Sequence, residues 1–203
     1  MELKQFLEKV AADTPTPGGG SASALAGALS ASLVAMVAGL SSKKGGGKKG
    51  KMEQIRKRAS VIQKRLLRAI DEDAISFDAV IKAFRLPKGS EKERLHRGEK
   101  IQQAYQNATI TPQVVCQQSI QLLEYSRILI LQGNPNALSD AGVAALLADA
   151  AFSGGVLNIG INLIAVKEKK FNRKMNLLMR RWTKKRNHLI KTILMKREGT
   201  CPA

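Results

Sequence analysis

The feature that most restricts the fold of this chain is a run of nineteen residues, 22–40, without a charged side chain. Its length is close to the roughly 20 residues that a helix needs to span a bilayer, and Lys43 and Lys44 follow it as a stop signal would. The alternative is a helix buried on all sides in a bundle, where its many Ala, Ser and Gly residues allow neighbouring helices to approach closely. Those small residues make the run weakly hydrophobic for its length. We therefore expect an interior helix and no membrane span.

Apolar residues recur at helical spacing along most of the remaining chain, and no stretch alternates clearly enough for a strand. Only 4% of the residues are aromatic, which also favours helix over sheet. Besides 22–40, helices are expected at about 3–10, 52–84, 91–108, 112–132, 137–165 and 169–197. We predict an all-α multi-helix bundle that forms one domain over 1–203. Its central buried helix pair comprises 22–40 and 141–166, and residues 169–203 form a basic C-terminal helix.

The charge is strongly positive and unevenly distributed. The chain has 34 Lys and Arg against 16 Asp and Glu, a formal net charge of +18. Residues 43–68 contribute +10, residues 167–203 contribute +11, and the rest sums to −3. Unless they form a solvated surface, two such segments indicate an anionic partner: nucleic acid, anionic lipid or a polyanionic small molecule. Aromatic side chains that could stack bases are nearly absent from both segments, which argues against nucleic acid.

The chain contains two histidines and two cysteines, too few for a His₃ or Cys₄ metal site within one chain. Cys116 and Cys201 are 85 residues apart and no CxxC pattern is present, so nothing indicates a disulfide framework. The N-terminal residues lack the basic region and apolar stretch of a signal peptide. We expect a cytoplasmic protein without a metal site.

One carboxylate interrupts the apolar face of the helix predicted over 52–84. Asp73 stands where the helical spacing calls for Leu or Ile. A carboxylate buried at such a place must be paired, metal-bound or functional, because burying it alone is costly. A buried Arg or Lys partner is the structural alternative. The face comprises Ile55, Ala59, Ile62, Leu66, Ile70, Asp73, Phe77, Ile81 and Phe84.

The sequence PTPGGGS at 15–21 opens the uncharged helix. Its prolines keep the segment that leads into the helix extended, and Ser21 is suited to cap the helix. Three glycines leave backbone N–H groups unshielded at the positive end of the helix dipole, which suits an anion or a polar ring edge. A tight turn between two helices is the alternative.

The apolar segment 141–166 carries Asp149, Asn158 and Asn162. The two asparagines are four residues apart and share a helix face. Asp140 shares that face as well, but it lies eighteen residues before Asn158, about 27 Å along the axis. Ser139 or Asp140 is also suited to cap this helix.

Several sequence blocks, in order along the chain, resemble the cyclodeaminase/cyclohydrolase family of folate enzymes. They are PTPGGGS at 15–21 with ALAGALSASLVAMVAGL at 24–40, DEDAISF at 71–77 with AFRLPK at 83–88, and GNPNALSDAGVAA at 133–145 with NIGINL at 158–163. The family includes the C-terminal half of formiminotransferase-cyclodeaminase and stand-alone methenyltetrahydrofolate cyclohydrolases. The resemblance covers about residues 3–165. The 43–51 loop departs from it by its many glycines, and the final basic helix shows little of the family's character.

The resemblance implies an all-helical, homodimeric enzyme of one-carbon metabolism that acts on a tetrahydrofolate adduct without a metal or redox cofactor. Folates carry a glutamate tail, often polyglutamylated in cells, which a basic rim would attract. Since no transferase domain accompanies the chain, the resemblance favours hydrolysis of 5,10-methenyl-tetrahydrofolate to 10-formyl-tetrahydrofolate. The alternative reaction is the release of ammonia from 5-formimino-tetrahydrofolate. The competing classes are an inactive folate-binding relative and a basic nucleic-acid- or membrane-surface-binding protein.

Both family reactions pass through a tetrahedral carbon between N5 and N10 and need proton transfers beside a carbon that is cationic in one state. Asp73 is the expected catalytic group, and Asp71 belongs to the same motif but lies about 200° away around the helix. The backbone amides of 18–20 are expected to hold a ring or a carboxylate, the asparagines the pterin edge, and basic residues the glutamate tail. The expected substrate contacts are Gly18, Gly19, Gly20, Ser21, Arg85, Lys88, Asp140, Asn158 and Asn162.

Overall fold

The computed structural model describes residues 2–43 and 49–198, and within those ranges it contains helices and no strand. The predicted all-α fold is therefore confirmed. Residues 44–48 of the basic loop predicted over 42–51 lie outside the described residues, and the prediction is wrong at both ends, because 42–43 belong to α2 and 49–51 to α3. The elements are α1 (Leu3–Ala11), α2 (Gly19–Lys43), α3 (Lys49–Phe84), α4 (Glu91–Ala108), α5 (Ile110–Gln132), a 3₁₀ turn (Pro135–Ala137), α6 (Leu138–Ala165) and α7 (Lys169–Glu198).

Helix α2 occupies the centre of the bundle, where it contacts α3, α5 and α6. Glycines allow this close packing. A Cβ on Gly27 would lie 2.9 Å from Leu66 Cδ1 of α3, and a Cβ on Gly154 of α6 would overlap the hydroxyl of Ser23. The Ser30 hydroxyl satisfies its hydrogen-bonding capacity by donating to the Ala144 carbonyl across the α2–α6 contact, at 2.7 Å.

The two apolar helices are central, as predicted, but each keeps one face exposed. Leu29, Met36 and Leu40 of α2 are 47%, 43% and 39% exposed. The prediction that both helices are buried on all sides is therefore wrong. Both are long and apolar enough to cross a membrane, but core helices of soluble proteins also meet that criterion, and half of the α2 segment is buried in the bundle. The exposed apolar side chains of α6 are Val143, Leu146, Leu157, Ile161 and Ile164.

An ion pair attaches α7 to α6 and explains the charged residue that the sequence places within 141–166. Both oxygens of Asp149 accept hydrogen bonds from the Arg186 guanidinium. The two side chains are 21% and 27% exposed, so the pair is partly shielded from solvent. A second pair, Lys185 with Glu124 of α5, is more open at 51% and 38% exposure.

We expect Asp149→Asn to lower the free energy of unfolding by about 1–3 kcal/mol, because the charge-assisted hydrogen bonds to Arg186 are lost in a partly buried place. Glu124→Gln removes the partner of the neighbouring lysine at an open site and should cost less than about 1 kcal/mol. Urea titration of the two variants measures both values. Equal effects would contradict the assignment of α7 docking to the Asp149 pair.

Candidate functional site

The site begins where Asp73 of α3 meets the first turn of α2. The Asp73 side chain is partly buried, and the fully buried Ser21 hydroxyl lies 3.1 Å from its Oδ2 and 2.9 Å from the Ile70 carbonyl. Ser21 is the third residue of α2, which begins at Gly19. The prediction that Ser21 caps the helix is therefore wrong, because its side chain reaches across to α3 instead.

Two of the glycines that open α2 face different neighbours. A Cβ on Gly20 would overlap the carboxylate of Asp73, so only glycine leaves room for that side chain. A Cβ on Gly19 would lie 3.9 Å from Asn158 Nδ2 of α6, an ordinary contact distance. The first turn of α2 therefore lies between a carboxylate from α3 and an amide from α6.

The backbone N–H groups at this helix start are the natural ligand donors. The first intrahelical hydrogen bond runs from Ala22 N–H to the Gly18 carbonyl, at 3.0 Å. The N–H groups of Gly19 and Gly20 precede it and have no partner within the helix, whereas the Ser21 N–H faces the Asp73 carboxylate. Together with the helix dipole they favour an anion or a polar ring edge beside Asp73.

The protonation of Asp73 is shifted by its surroundings. Burial raises the pKa of its carboxyl group, and hydrogen bonds from the hydroxyl and backbone N–H of Ser21 offset part of that rise. Among the side chains described, those of residues 2–43 and 49–193, no ion pair includes Asp73. The alternative explanation for the buried carboxylate, an ion pair with a buried Arg or Lys, therefore has no support in the described side chains. A partly buried carboxyl group with a raised pKa and no ion-pair partner is a candidate for proton exchange.

Between Ala69 and Val80, no side chain of α3 is fully buried. Leu66 and Ala69 are fully buried in the main hydrophobic core, and Val80 and Ala83 are buried in a second cluster with α4. Asp73 lies in the gap between the two clusters. The partial exposure of Asp73 leaves its carboxylate accessible from solvent.

The two predicted asparagines have different surroundings. Asn158 donates to the Gly154 carbonyl of its own helix at 2.8 Å and lies beside Gly19, so it borders the site. Asn162 donates to the Ala108 carbonyl at 3.0 Å and thereby ties α6 to the end of α4. Its side-chain N–H is used in packing rather than aimed at the start of α2.

The remaining predicted contacts lie away from Asp73. Asp140 is in the first turn of α6, about 27 Å from Asn158 along the helix, and Ala137 is the N-cap without a side-chain hydrogen bond. The structure therefore does not bring Asp140 to this site, and the predicted capping by Ser139 or Asp140 is wrong. Asp71 is exposed on another face of α3. Arg85 and Lys88 are exposed just after α3 ends, Arg85 about 18 Å from Asp73 along the helix.

Other catalytic chemistry finds little support in the described residues. No group of three His, Cys, Asp or Glu side chains there is close enough to hold a metal ion. Burial raises the pKa of the Cys116 thiol to about 12, so this cysteine stays protonated and is a poor nucleophile. Among the described residues, Asp73 combines a raised carboxyl pKa with a partly exposed side chain.

Comparison with known proteins agrees with this geometry. The sequence profile of the formiminotransferase-cyclodeaminase family matches residues 2–181, most of the chain. This chain belongs to that family. The match includes every residue assigned above to the site.

Within the formiminotransferase-cyclodeaminase family, the chain is similar to two known proteins and to one solved structure. The chain is 35% identical over 171 residues to methenyltetrahydrofolate cyclohydrolase of Methylorubrum extorquens, covering 83% of this chain and 82% of that protein. It is 28% identical to formimidoyltransferase-cyclodeaminase of Gallus gallus, covering 97% of this chain but only 37% of that protein. The crystal structure of formiminotetrahydrofolate cyclodeaminase from Thermotoga maritima matches with a TM-score of 0.88 and 27% identity, covering 98% of this chain and 96% of that one.

The sequence alone did not show why position 20 is a glycine. The glycine makes room for a carboxylate that lies 53 residues later in the chain, and Ser21 contacts the same carboxylate. No local pattern encodes a contact over that separation. Its only trace in the sequence is that a glycine run opens one apolar helix while a carboxylate interrupts another.

Proposed function

We propose that this chain is a methenyltetrahydrofolate cyclohydrolase, with Asp73 as its proton-transfer group. The observation that carries the proposal is the partly buried Asp73 carboxylate, with its raised pKa and no ion-pair partner among the described residues, beside the glycine start of α2. The cyclohydrolase of Methylorubrum extorquens, similar over most of both chains, supports the choice of reaction.

The carboxylate suits both stages of this hydrolysis. In the first stage the Asp73 carboxylate accepts a proton from water as the water oxygen bonds to the cationic methenyl carbon. In the second stage the Asp73 carboxylic acid returns that proton to N5 as the N5–carbon bond breaks. The hydroxyl proton of the intermediate leaves to solvent as the formyl group forms, which gives 10-formyl-tetrahydrofolate. The negative charge of Asp73 also stabilises the cationic substrate before water attacks.

The remaining contacts orient the folate. In this proposal the first-turn N–H groups of α2 and the amide of Asn158 hold the polar edge of the pterin. The basic surfaces of α3 and α7 raise the local concentration of an anionic, polyglutamylated tail, and Arg85 and Lys88 are the tail contacts proposed here. The chemistry is acid–base throughout, so we propose no metal or redox cofactor, and we propose a cytoplasmic location.

A second candidate is the cyclodeaminase reaction, favoured by the likeness to the Thermotoga maritima cyclodeaminase. There N10 attacks the carbon of the protonated formimino group of 5-formimino-tetrahydrofolate, and the resulting amino group takes one further proton and leaves as ammonia. The same carboxyl group would receive the N10 proton and supply one to the departing nitrogen.

Incubation of the purified chain with each folate separately distinguishes these functions. With 5,10-methenyl-tetrahydrofolate, the proposal predicts loss of the methenyl absorbance above the uncatalysed rate. With 5-formimino-tetrahydrofolate, appearance of that absorbance together with ammonia would indicate the cyclodeaminase. Turnover of neither adduct would contradict both. Folate binding would then point to an inactive relative, and binding only to polyanions, weakening steeply with salt, would point to the basic-surface class.

We also propose that the chain forms a homodimer through the exposed apolar faces of α2 and α6. Ile161 and Ile164 are 63% and 80% exposed, and soluble monomers rarely leave large contiguous apolar patches uncovered. A shallow apolar depression of about 630 Å³ continues this surface onto α7. It is lined by Val156, Leu157, Asn158, Gly160, Ile161, Ile164 and Met179.

Light scattering at micromolar concentrations should give a particle of twice the 22.0 kDa chain mass. Replacing both Ile161 and Ile164 by Glu should give the monomer mass, because charges would be buried without partners at the interface. Leu95→Glu, at a site 65% exposed on α4, is the matched control and should stay dimeric. A 22.0 kDa particle for the unmodified chain would contradict the dimer.

A further inference from the structure

The burial gap on α3 contains an aromatic side chain as well as Asp73. Phe77 is only partly buried, and among the described residues it belongs to neither the main core nor the cluster with α4. The apolar residues on either side of the gap, Ala69 and Val80, are buried. An aromatic ring that lies between two clusters without joining either has a face available for another partner.

The position of Phe77 relative to Asp73 follows from the helix. Phe77 lies four residues later, about 6 Å along α3 and about 40° around it, so the two side chains are neighbours on one face. Asp73 and Ile70 make the contacts with the start of α2. Phe77 therefore lies one turn beyond that contact, toward the end of α3 that carries Arg85 and Lys88.

We propose that the ring of Phe77 is the surface against which the p-aminobenzoyl ring of the folate packs. This inference rests on the proposed function. In a folate the reacting carbon joins the pterin to the p-aminobenzoyl group, so a folate with that carbon beside Asp73 places one ring on each side of the carboxylate. The pterin has polar edges, which match the N–H groups of α2 and the Asn158 amide. The p-aminobenzoyl ring presents apolar faces, which match Phe77.

The same orientation accounts for the tail. Beyond the p-aminobenzoyl ring comes the glutamate, and beyond Phe77 come Arg85 and Lys88, with Arg85 about 18 Å from Asp73 along α3. The folate thus lies along α3 in a single direction, from the start of α2 toward Arg85 and Lys88.

Phe77→Leu tests the ring, since it keeps an apolar side chain but removes the flat face. We expect KM for 5,10-methenyl-tetrahydrofolate to rise roughly 2- to 12-fold, the range of one aromatic contact, with kcat within about twofold of the unmodified chain. Phe77→Tyr should keep KM near its original value. Phe171→Leu makes the same change on α7, where the partly buried Phe171 packs against the main core, and should leave KM unchanged.

A second measurement does not depend on the stability of the leucine variant. The chain has five phenylalanines, so NMR of ring-labelled Phe gives a simple spectrum, in which the Phe77 signal is identified by its absence in Phe77→Tyr. Saturation with 5-formyl-tetrahydrofolate should shift the Phe77 signal more than the other four. An unmoved Phe77 signal in a chain that binds this folate, or an unchanged KM in folded Phe77→Leu, would overturn the inference and leave the proposed function intact. A chain that neither binds nor turns over any folate would overturn the proposed function itself.

Discussion

Asp73→Asn is expected to lower turnover of 5,10-methenyl-tetrahydrofolate by roughly 10²-fold or more. The amide keeps the shape of the side chain and an oxygen that accepts from Ser21, but it can neither accept the proton of the attacking water nor return one to N5. KM should rise only modestly, because the charge that stabilises the cationic carbon is lost while the other folate contacts, on the start of α2, on α6 and along α3, remain.

The stability of this variant should move in the opposite direction from its activity. Burial raises the pKa of Asp73, so at neutral pH the ionised carboxylate lowers the stability of the folded state. This cost decreases as the pH falls through the folded-state pKa and is absent below the unfolded-state pKa. A neutral amide removes the same cost. We expect the melting temperature of Asp73→Asn to be unchanged or higher. A loss of about 3–5 kcal/mol of stability with turnover retained would instead identify Asp73 as half of a structural ion pair.

Asp71→Asn is the matched control for the catalytic assignment. It makes the same chemical change two residues away, in the same motif, on an exposed face of α3. Turnover and melting temperature should both stay near those of the unmodified chain. Equal losses in the two variants would show that the DEDAISF motif is needed as a helix segment rather than for the Asp73 carboxyl group.

Gly20→Ala is expected to reduce turnover by about 10²-fold without unfolding the protein. The new Cβ would overlap the Asp73 carboxylate, and this short side chain can turn away only by leaving its position beside the α2 start. Displacement of a reacting group by about 1 Å is enough for a loss of this size. The backbone itself tolerates the change, since alanine is the better helix former.

Gly19→Ala gives the comparison one residue earlier. Its Cβ would lie 3.9 Å from Asn158 Nδ2, a normal contact, so turnover should fall much less than in Gly20→Ala. Steady-state kinetics and thermal melting of both variants test the pair. Similar turnover in the two would contradict the claim that Gly20 exists to make room for Asp73.

The fold was accessible from the sequence because helical spacing and small residues report on local structure. The uncharged run, the long helix with Asp73 and the breaks at prolines and glycines all reappear as elements of the bundle. The exposed faces of α2 and α6 could not be predicted, because an exposed apolar residue has the same signature in a sequence as a buried one.

The site was accessible in part. Asp73 was recognisable because a carboxylate in an apolar stripe demands an explanation. The hydrogen bond of Ser21 and the packing of Asn162 on Ala108 depend on contacts 52 and 54 residues apart, for which single-sequence patterns carry no signal. Asp140 shares a face with Asn158, but helix rise separates them by about 27 Å.

The pH dependence of turnover tests the role of Asp73 most directly. Because the carboxylate must be ionised to accept the proton of water, kcat/KM for 5,10-methenyl-tetrahydrofolate should fall as the pH drops through the folded-state pKa of Asp73 in the free protein. Burial places that midpoint above the ordinary range of an Asp carboxyl group. The residual turnover of Asp73→Asn, corrected for the uncatalysed rate, should lack this acid limb. An unchanged acid limb in Asp73→Asn would show that another group carries the proton and would contradict the mechanism.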